Sequence, residues 1–366
     1  MRPRLHFGGP AAAEAFVAHG SRWSAQTWVR LKAVQNDLNP LLLEAIRQLP
    51  ADDSSRMLVT FDFPDQRDGE PGFQAKLWLP ESIDVGPMAE ASPNPSLAAT
   101  ARGLQPTDDE MLQSISSLAP LFAQGKLDKV VLAQRLRTES PPAWLQPTGG
   151  DGLVWTMSLQ ESDRAFYAKS PEALLRWQGE AVESMALAGT TGRSSDPEED
   201  ARMGQGLLGS EKDRREHMSV VDHIRQHLEH HCEQIGPAQA PELIQLPGLQ
   251  HLCTRLHGQG PKIHPLLLAA MLHPTPALCG QPRLEALRVL QSVERFPRGL
   301  YGGVIGWFSR SSGALIVGLR AIQQRGDHLE LIAGAGCVPG SRPRQELAEI
   351  HLKRESILAE SGLHLA

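Results

Sequence analysis

Hydrophobic and polar positions alternate in short runs along most of this chain, and the runs fall into neighbouring groups. MLVTFDFP (57–64) and AKLWLP (75–80) are apolar, β-branched or aromatic stretches separated by the turn-rich QRDGEPG, which predicts two strands. KVVLAQRLR (129–137) and LVWTMSL (153–159) predict two more, on either side of the Pro/Gly-rich PPAWLQPTGGDG. YGGVIGWFS, ALIVGLRAI and HLELIAGAG predict three successive strands near the C-terminus. Thr107, followed by Glu110 three residues later, has the form of a capping box and predicts a helix to about residue 124. Helices are also predicted at 211–232, at LLLAAML before HPTPALCGQP, at 283–295, and from Pro343 onward. The first 55 residues read as irregular to helical, with one periodic piece at 41–49. Residues 80–106 turn to Pro, Ser, Ala and Glu without a period, which predicts a surface excursion or linker. Strands in hairpin-like runs, without regular βαβ alternation, imply an α+β architecture.

The stretch IAGAGCVPGSRPRQELAEIHLK (332–353) reads as a buried strand, a glycine turn and a helix. Glu346, Glu349 and Lys353 share one helix face, while Leu347, Ile350, Leu352, Ile357 and Leu358 supply apolar contacts on others. SEKDRREH repeats the pattern with Asp213 and Glu216 at i, i+3. Such faces are either solvated or meet across one divalent, oxygen-ligated cation, for which Mg²⁺ fits the donor chemistry. Farther along that helix His223 and His227 stand at i, i+4, a zinc-ligand spacing. Val220, Val221, Ile224 and Leu228 form the core stripe there, which places most of the histidines outside. GAGCVPG has its third glycine one residue too late for a dinucleotide loop, and GTTGR lacks the lysine of a phosphate loop. Three charged residues stand out singly. Lys129 opens an apolar strand, as a strand-edge lysine or a functional amine. Glu172, in SPE before an apolar run, reads as a carboxylate at a helix N-terminus. Arg320 ends ALIVGLR, where a cation must reach solvent or meet an anion.

Composition narrows the field further. With 366 residues, 41% of them hydrophobic, the chain can build a substantial core. Cys232, Cys253, Cys279 and Cys337 form no CxxC pair, which argues against a disulfide framework or zinc ribbon and fits a reducing compartment. No secretory h-region and no run of 18 apolar residues is present, so a cytoplasmic protein without a membrane partner is expected. A net charge of −6 disfavours nucleic-acid binding, and any anionic ligand must be met locally by a metal or a few Arg and Lys side chains.

Taken together, KVVLAQR (129–135), SPEALL (170–175), ALAGT (186–190), SEKDRREH (210–217), HLCTRLHG (251–258), LHPTPALCG (272–280), RGLYGGVIGW (298–307), LRA (319–321), AGAGCV (333–338) and E-x-x-E-x-x-x-K (346–353) resemble the chorismate-utilising enzymes. That family includes anthranilate, aminodeoxychorismate, isochorismate and salicylate synthases. The resemblance covers about residues 105–362. It implies the aminodeoxychorismate-synthase-like fold, with large, largely antiparallel sheets packed with helices in one large domain. Residues 1–104 would be a variable part of that fold and 105–366 the catalytic region. Within the family the chain looks most like the isochorismate synthases. Members that add water carry a lysine where this chain has Lys129, and aminodeoxychorismate synthases carry one where it has Ala188. Salicylate synthases, one alternative beside a catalytically silent chorismate-binding protein, place threonine at Ala277. Gln134 and Cys337 depart from the usual arginine and isoleucine. The resemblance implies Lys129 as general base, Glu172 as general acid, and a Mg²⁺ cofactor held directly by Glu216 and Glu349 and through water by Asp213 and Glu346. Gly189, Thr190, Ala277, Leu278, Arg320, Gly334, Gly336 and Lys353 would bind the substrate, chorismate. A monomer without a glutamine amidotransferase subunit is expected.

Overall fold

The structure, a computed structural model, describes residues 4–9, 15–21, 23–30, 40–49, 55–67, 70–85, 97–139, 154–161, 164–237 and 239–365. Two sheets, each of eleven strands among these residues and antiparallel except where Leu363–Leu365 runs parallel to Leu97–Gln105, make an α+β fold. The first runs, in spatial order, Leu363–Leu365, Leu97–Gln105, Lys129–Glu139, His328–Cys337, Ala321–Arg325, Arg164–Ser170, Trp155–Glu161, Arg4–Gly8, Phe16–His19 and Ser82–Val85, with Gly280–Gln281 beside Lys129–Glu139. The second runs Cys232–Ile235, Leu249–Pro261, Ala181–Gly192, Ala173–Gln178, Ser312–Val317, Val304–Phe308, Met57–Phe61, Glu70–Leu79 and Trp23–Arg30, with Glu242–Leu246 and Asp65–Arg67 paired off this path.

Period-two alternation explains how the sheets bury their faces. Leu5 and Phe7, Phe16 and Ala18, and Met157 and Leu159 point from the first sheet into a layer shared with Leu58, Ile305 and Ile316 of the second. Met57, Val59 and Phe61, on the other face of the second sheet, join the layer under the helices. Each fully buried phenylalanine or leucine of these layers contributes about 1.5–3 kcal/mol. Helix Glu211–His231 lies on Ala181–Gly192 and Leu249–Pro261 through Val220, Val221, Ile224 and Leu228. Helix Pro343–Ser361 lies on His328–Cys337, buries Leu347, Ile350 and Ile357, and stops at left-handed Gly362.

Several local expectations are corrected. The first 55 residues contain the strands Arg4–Gly8, Phe16–His19 and Trp23–Arg30 besides helix Pro40–Arg47. Their partners include Trp155–Glu161 and Glu70–Leu79, so these short alternations gain their ladders from elsewhere in the chain. The expected linker at 80–106 contains strands Ser82–Val85 and Leu97–Gln105, while its middle and PPAWLQPTGGDG lie outside the described residues. Thr107 does form the capping box, but the helix ends at Ser116 and a second one, Ala119–Ala123, restarts around Pro120. ALIVGLRAI is not one strand. Ser312–Val317 belongs to the second sheet and Ala321–Arg325 to the first. Glu172 precedes a strand, Ala173–Gln178, and no helix. His217, on the long helix, is fully buried and bonded to Thr254 (2.8 Å), so the outward placing of the histidines fails there.

Candidate active site

Two chain crossings between the sheets run side by side. The chain leaves the first sheet after Ser170 and joins the second at Ala173, and it makes the reverse passage between Val317 and Ala321. The passages are stitched together: Val317 N–H donates to Glu172 O (3.0 Å), and Lys169 N–H donates to Arg320 O (3.3 Å). Released from the ladders, Pro171, Glu172, Leu319 and Arg320 line an open cavity whose empty space, counting the solvent at its mouth, is about 820 Å³. The second passage is tight. A Cβ on Gly318 would lie 2.2 Å from Leu300 O, and Arg320 adopts a left-handed backbone (φ 49°), at a cost of about 1–3 kcal/mol.

The remaining walls come from several elements between residues 131 and 357. Gly189 and Thr190 sit at a register irregularity in strand Ala181–Gly192, Ala277 and Leu278 sit in the loop after helix Pro265–Leu272, Gly334 and Gly336 lie in His328–Cys337, and Lys353 projects from the last helix. With Glu172, Arg320 and Glu216, these anticipated residues share one cavity. Lys129, Asp213, Glu346 and Glu349 stand outside its lining. Lys129 is 1% exposed and reaches Glu216 Oε1 at 3.1 Å, behind Gly336. Any side chain at Gly336 would collide with that pair, since its Cβ would lie 2.2 Å from Glu216 Oε1 and 3.2 Å from Lys129 Cε.

Glu172 is 1% exposed, and its Oε1 is buried without a hydrogen-bond partner. Burial pushes its carboxyl pKa up to about 8 against the pull of Lys129 and Lys353, so it is protonated at neutral pH. Opposite in character is Lys353. Burial works against its charge, but the Glu349 carboxylate at 2.7 Å outweighs this and holds its pKa above the usual lysine range. Lys353 also donates to Gly334 O at 2.9 Å. That bond reveals which way the strand's polar groups point. Val131 N–H donates to Cys279 O (3.0 Å) and Ala133 N–H to Glu294 Oε1 (2.8 Å), both away from His328–Cys337. Their register partners Gly336 and Gly334 therefore turn their amides to the opposite edge, toward Lys353. Lysine and open N–H groups on one wall, with Arg320 beside them, suit a carboxylate.

The candidate metal ligands are arranged as ion pairs. Glu216 pairs with Lys129, Glu349 with Lys353, and Glu346 with Lys212 at 2.5 Å. Lys212 also feels Glu216 and Glu349, which together with Glu346 raise its pKa despite burial. Among the described residues no three of His, Cys, Asp and Glu converge on one point where they could hold a metal ion. The donor set is nonetheless all oxygen and anionic, gathered around one ammonium, and Glu346 is kept at 1% exposure. Carboxylates so placed fit a hard divalent cation.

Three residues with no role read from the sequence also line the cavity: His251, Arg298 and Tyr301. His251 Nδ1 lies 3.3 Å from Gly189 O and 3.1 Å from Thr190 Oγ1, and burial lowers its pKa to about 3, so the ring is neutral. Because a carbonyl only accepts, Nδ1 carries the proton. Arg298 donates to both oxygens of Glu294 (2.7 and 2.5 Å), to Leu278 O (2.8 Å) and to Val131 O (2.6 Å). Glu294 and Arg298 lie beyond the end of helix Arg283–Val293, with Pro297 between them, so no helical spacing announced the pair. Tyr301, one of two tyrosines, offered no signal either.

Known proteins resemble this chain in sequence and in fold. A family model described as chorismate binding enzyme matches residues 73–360. The vibriobactin-specific isochorismate synthase of Vibrio cholerae is 34% identical over 271 residues, covering 71% of this chain and 68% of that protein. The isochorismate synthase DhbC of Bacillus subtilis is 32% identical over 357 residues, covering 90% and 87%. Among solved structures, DhbC of Bacillus anthracis superposes with a TM-score of 0.82 at 27% identity, covering 99% of this chain and 97% of that one. MenF, the menaquinone-specific isochorismate synthase of Escherichia coli, shares the fold with a TM-score of 0.74 at 24% identity, covering 97% and 88%. A cavity with an acid, amines and open amides at the crossing of two large sheets, on a chain this similar, belongs to the chorismate-binding enzyme family.

Proposed function

We propose that the chain is an isochorismate synthase, an isomerase that moves the hydroxyl of chorismate from C4 to C2. The observation that carries this reading is Glu172: a carboxyl group kept protonated near neutrality by burial, in a cavity also lined by Lys353, Arg320, Gly334 and Gly336. Glu172 gives its proton to the C4 hydroxyl, which departs as water. Lys129 takes a proton from the water that attacks C2, and the ring double bonds shift as the C4–O bond breaks. The pair ends with its protons redistributed and runs backward equally well, as a reversible isomerisation requires. Lys129 needs its lone pair for this, so its contact with Glu216 has to loosen in the working state.

Arg320, Lys353 and the two amides hold the enolpyruvyl carboxylate, while Gly189, Thr190, Ala277 and Leu278 border the ring. Mg²⁺, held directly by Glu216 and Glu349 and through water by Asp213 and Glu346, would supply positive charge to the ring carboxylate. Water as nucleophile needs no ammonia channel, so no amidotransferase subunit is proposed. The test is incubation of the protein with chorismate and Mg²⁺, with products separated by HPLC and pyruvate followed by a coupled assay. Isochorismate in equilibrium with chorismate, lost on adding EDTA, is expected. Stoichiometric salicylate and pyruvate would make the chain a salicylate synthase, and full activity in EDTA would remove the metal.

A further inference from the structure

Arg320 is fastened to the last turn of helix Pro343–Ser361 by residues outside the set assigned above. Its Nη2 meets the Glu360 carboxylate in an ion pair, donates to Ser356 Oγ (2.9 Å), and donates to Pro247 O (3.0 Å). Ser356 Oγ lies 3.0 Å from Glu360 Oε1 and 3.1 Å from Pro247 O, so arginine, serine, glutamate and the turn carbonyl close into one network. The turn is itself pinned from its far side. Arg193 N–H donates to Gly248 O (3.2 Å), and Arg193 pairs with Asp200 at 2.7 Å. Three elements thus converge on one guanidinium nitrogen: the left-handed crossing that carries Arg320, the 247–248 turn, and the helix end.

We infer that Glu360, supported by Ser356, is a positioning residue that sets the direction in which Arg320 presents its guanidinium to the cavity. The physical reason lies in the side chain's shape. A guanidinium is a rigid planar fork, so fixing one terminal nitrogen at three points fixes the plane and the remaining edge as well. The arginine side chain has many rotamers, and a clamp removes that freedom before the ligand arrives. A left-handed backbone at a non-glycine residue persists only where the surroundings over-determine it, and this network does so. The side chains are only 9% (Arg320) and 18% (Glu360) exposed, so the pair is little screened by solvent.

The inference rests on the proposed role of Arg320 in holding a substrate carboxylate. Steady-state kinetics with chorismate on wild type, Glu360→Gln and Glu360→Ala test it. KM should rise about threefold in Glu360→Gln, which keeps an acceptor oxygen without the charge, and about tenfold in Glu360→Ala, with kcat within threefold of wild type in both. Glu360→Ala placed on Arg320→Lys should add less than twofold to the KM of Arg320→Lys alone, because Glu360 acts through the guanidinium. A KM at or below the wild-type value in Glu360→Gln overturns the inference, since Glu360 would then be a competitor for Arg320. Equal and independent effects in the two backgrounds overturn it too. A wild-type protein that neither binds nor converts chorismate removes the functional reading itself, which turnover with an unchanged KM in Glu360→Gln would leave standing.

Discussion

At the scale of single residues, the chemistry turns on how burial divides the ionisable groups. Glu172 is held near pKa 8 by desolvation, far above the ordinary carboxylate range. A general acid must start protonated, so kcat should fall as pH rises through about 8. Glu172→Gln should abolish that limb and lower kcat by about 10²-fold or more, checked by pH–rate profiles of both proteins. Stability has a linked sign. A carboxyl whose folded pKa is raised contributes fully below its unfolded value near 4.5, and that contribution is lost as pH rises through about 8. Glu172→Gln should therefore gain in Tm relative to wild type between pH 5 and pH 9, and a constant difference would refute the assignment. Little of this was legible in the sequence. SPE beside an apolar run reads locally as a helix start, and only the crossing to another sheet, with Lys129 and Lys353 brought near from distant elements, gives Glu172 its surroundings. The residues proposed to react came from the ordered family blocks, whereas their pairing came only from the fold. That Lys129 meets Glu216 and Lys212 meets Glu346 cannot be read from spacing, because each pair joins separate segments.

At the scale of elements, patterns held where one strand or helix was locally consistent and failed where tertiary contacts cut a continuous pattern. Lys129–Glu139, Glu211–His231 and Pro343–Ser361 lie close to their expected bounds. ALIVGLRAI stays apolar through Leu319, and what breaks it is Gly318 lying against the Leu300 carbonyl, a contact between elements. Glycine in His328–Cys337 likewise has a non-local cause. Gly336→Ala should lower kcat/KM more than tenfold, because the added methyl group displaces Glu216 or Lys129 in a strand that cannot shift without disturbing its ladder. Gly206→Ala, in helix Pro197–Gly209 with nothing within 4 Å of the added carbon, should instead stabilise by about 0.4–1 kcal/mol and leave turnover unchanged. Thermal melts and initial rates on the two variants check both outcomes. A harmless Gly336→Ala would show that the close approach of Glu216 is dispensable.

At the scale of the whole molecule, the buried Glu294–Arg298 pair ties the walls of the cavity to one another. It reaches Ala133, Val131 and Leu278, and Arg298 O accepts from Gln323 Nε2 at 2.9 Å. Glu294→Gln should cost about 3–5 kcal/mol, the scale of a buried pair deprived of one partner, read as a lower midpoint in urea unfolding. A loss below about 1 kcal/mol would mean that water replaces the carboxylate. Which strand pairs with which was the least legible property, since register between distant strands leaves no local trace. Its consequence reaches beyond the finished enzyme. Met57–Phe61 completes its ladder against Val304–Phe308, and Arg4–Gly8 against Trp155–Glu161. On a ribosome these early strands can pair at once with Phe16–His19 and Glu70–Leu79, but their other edges stay open until the distant partners are made. The yield of this chain in a cell should therefore depend on how well the nascent chain is sheltered until its last hundred residues are made.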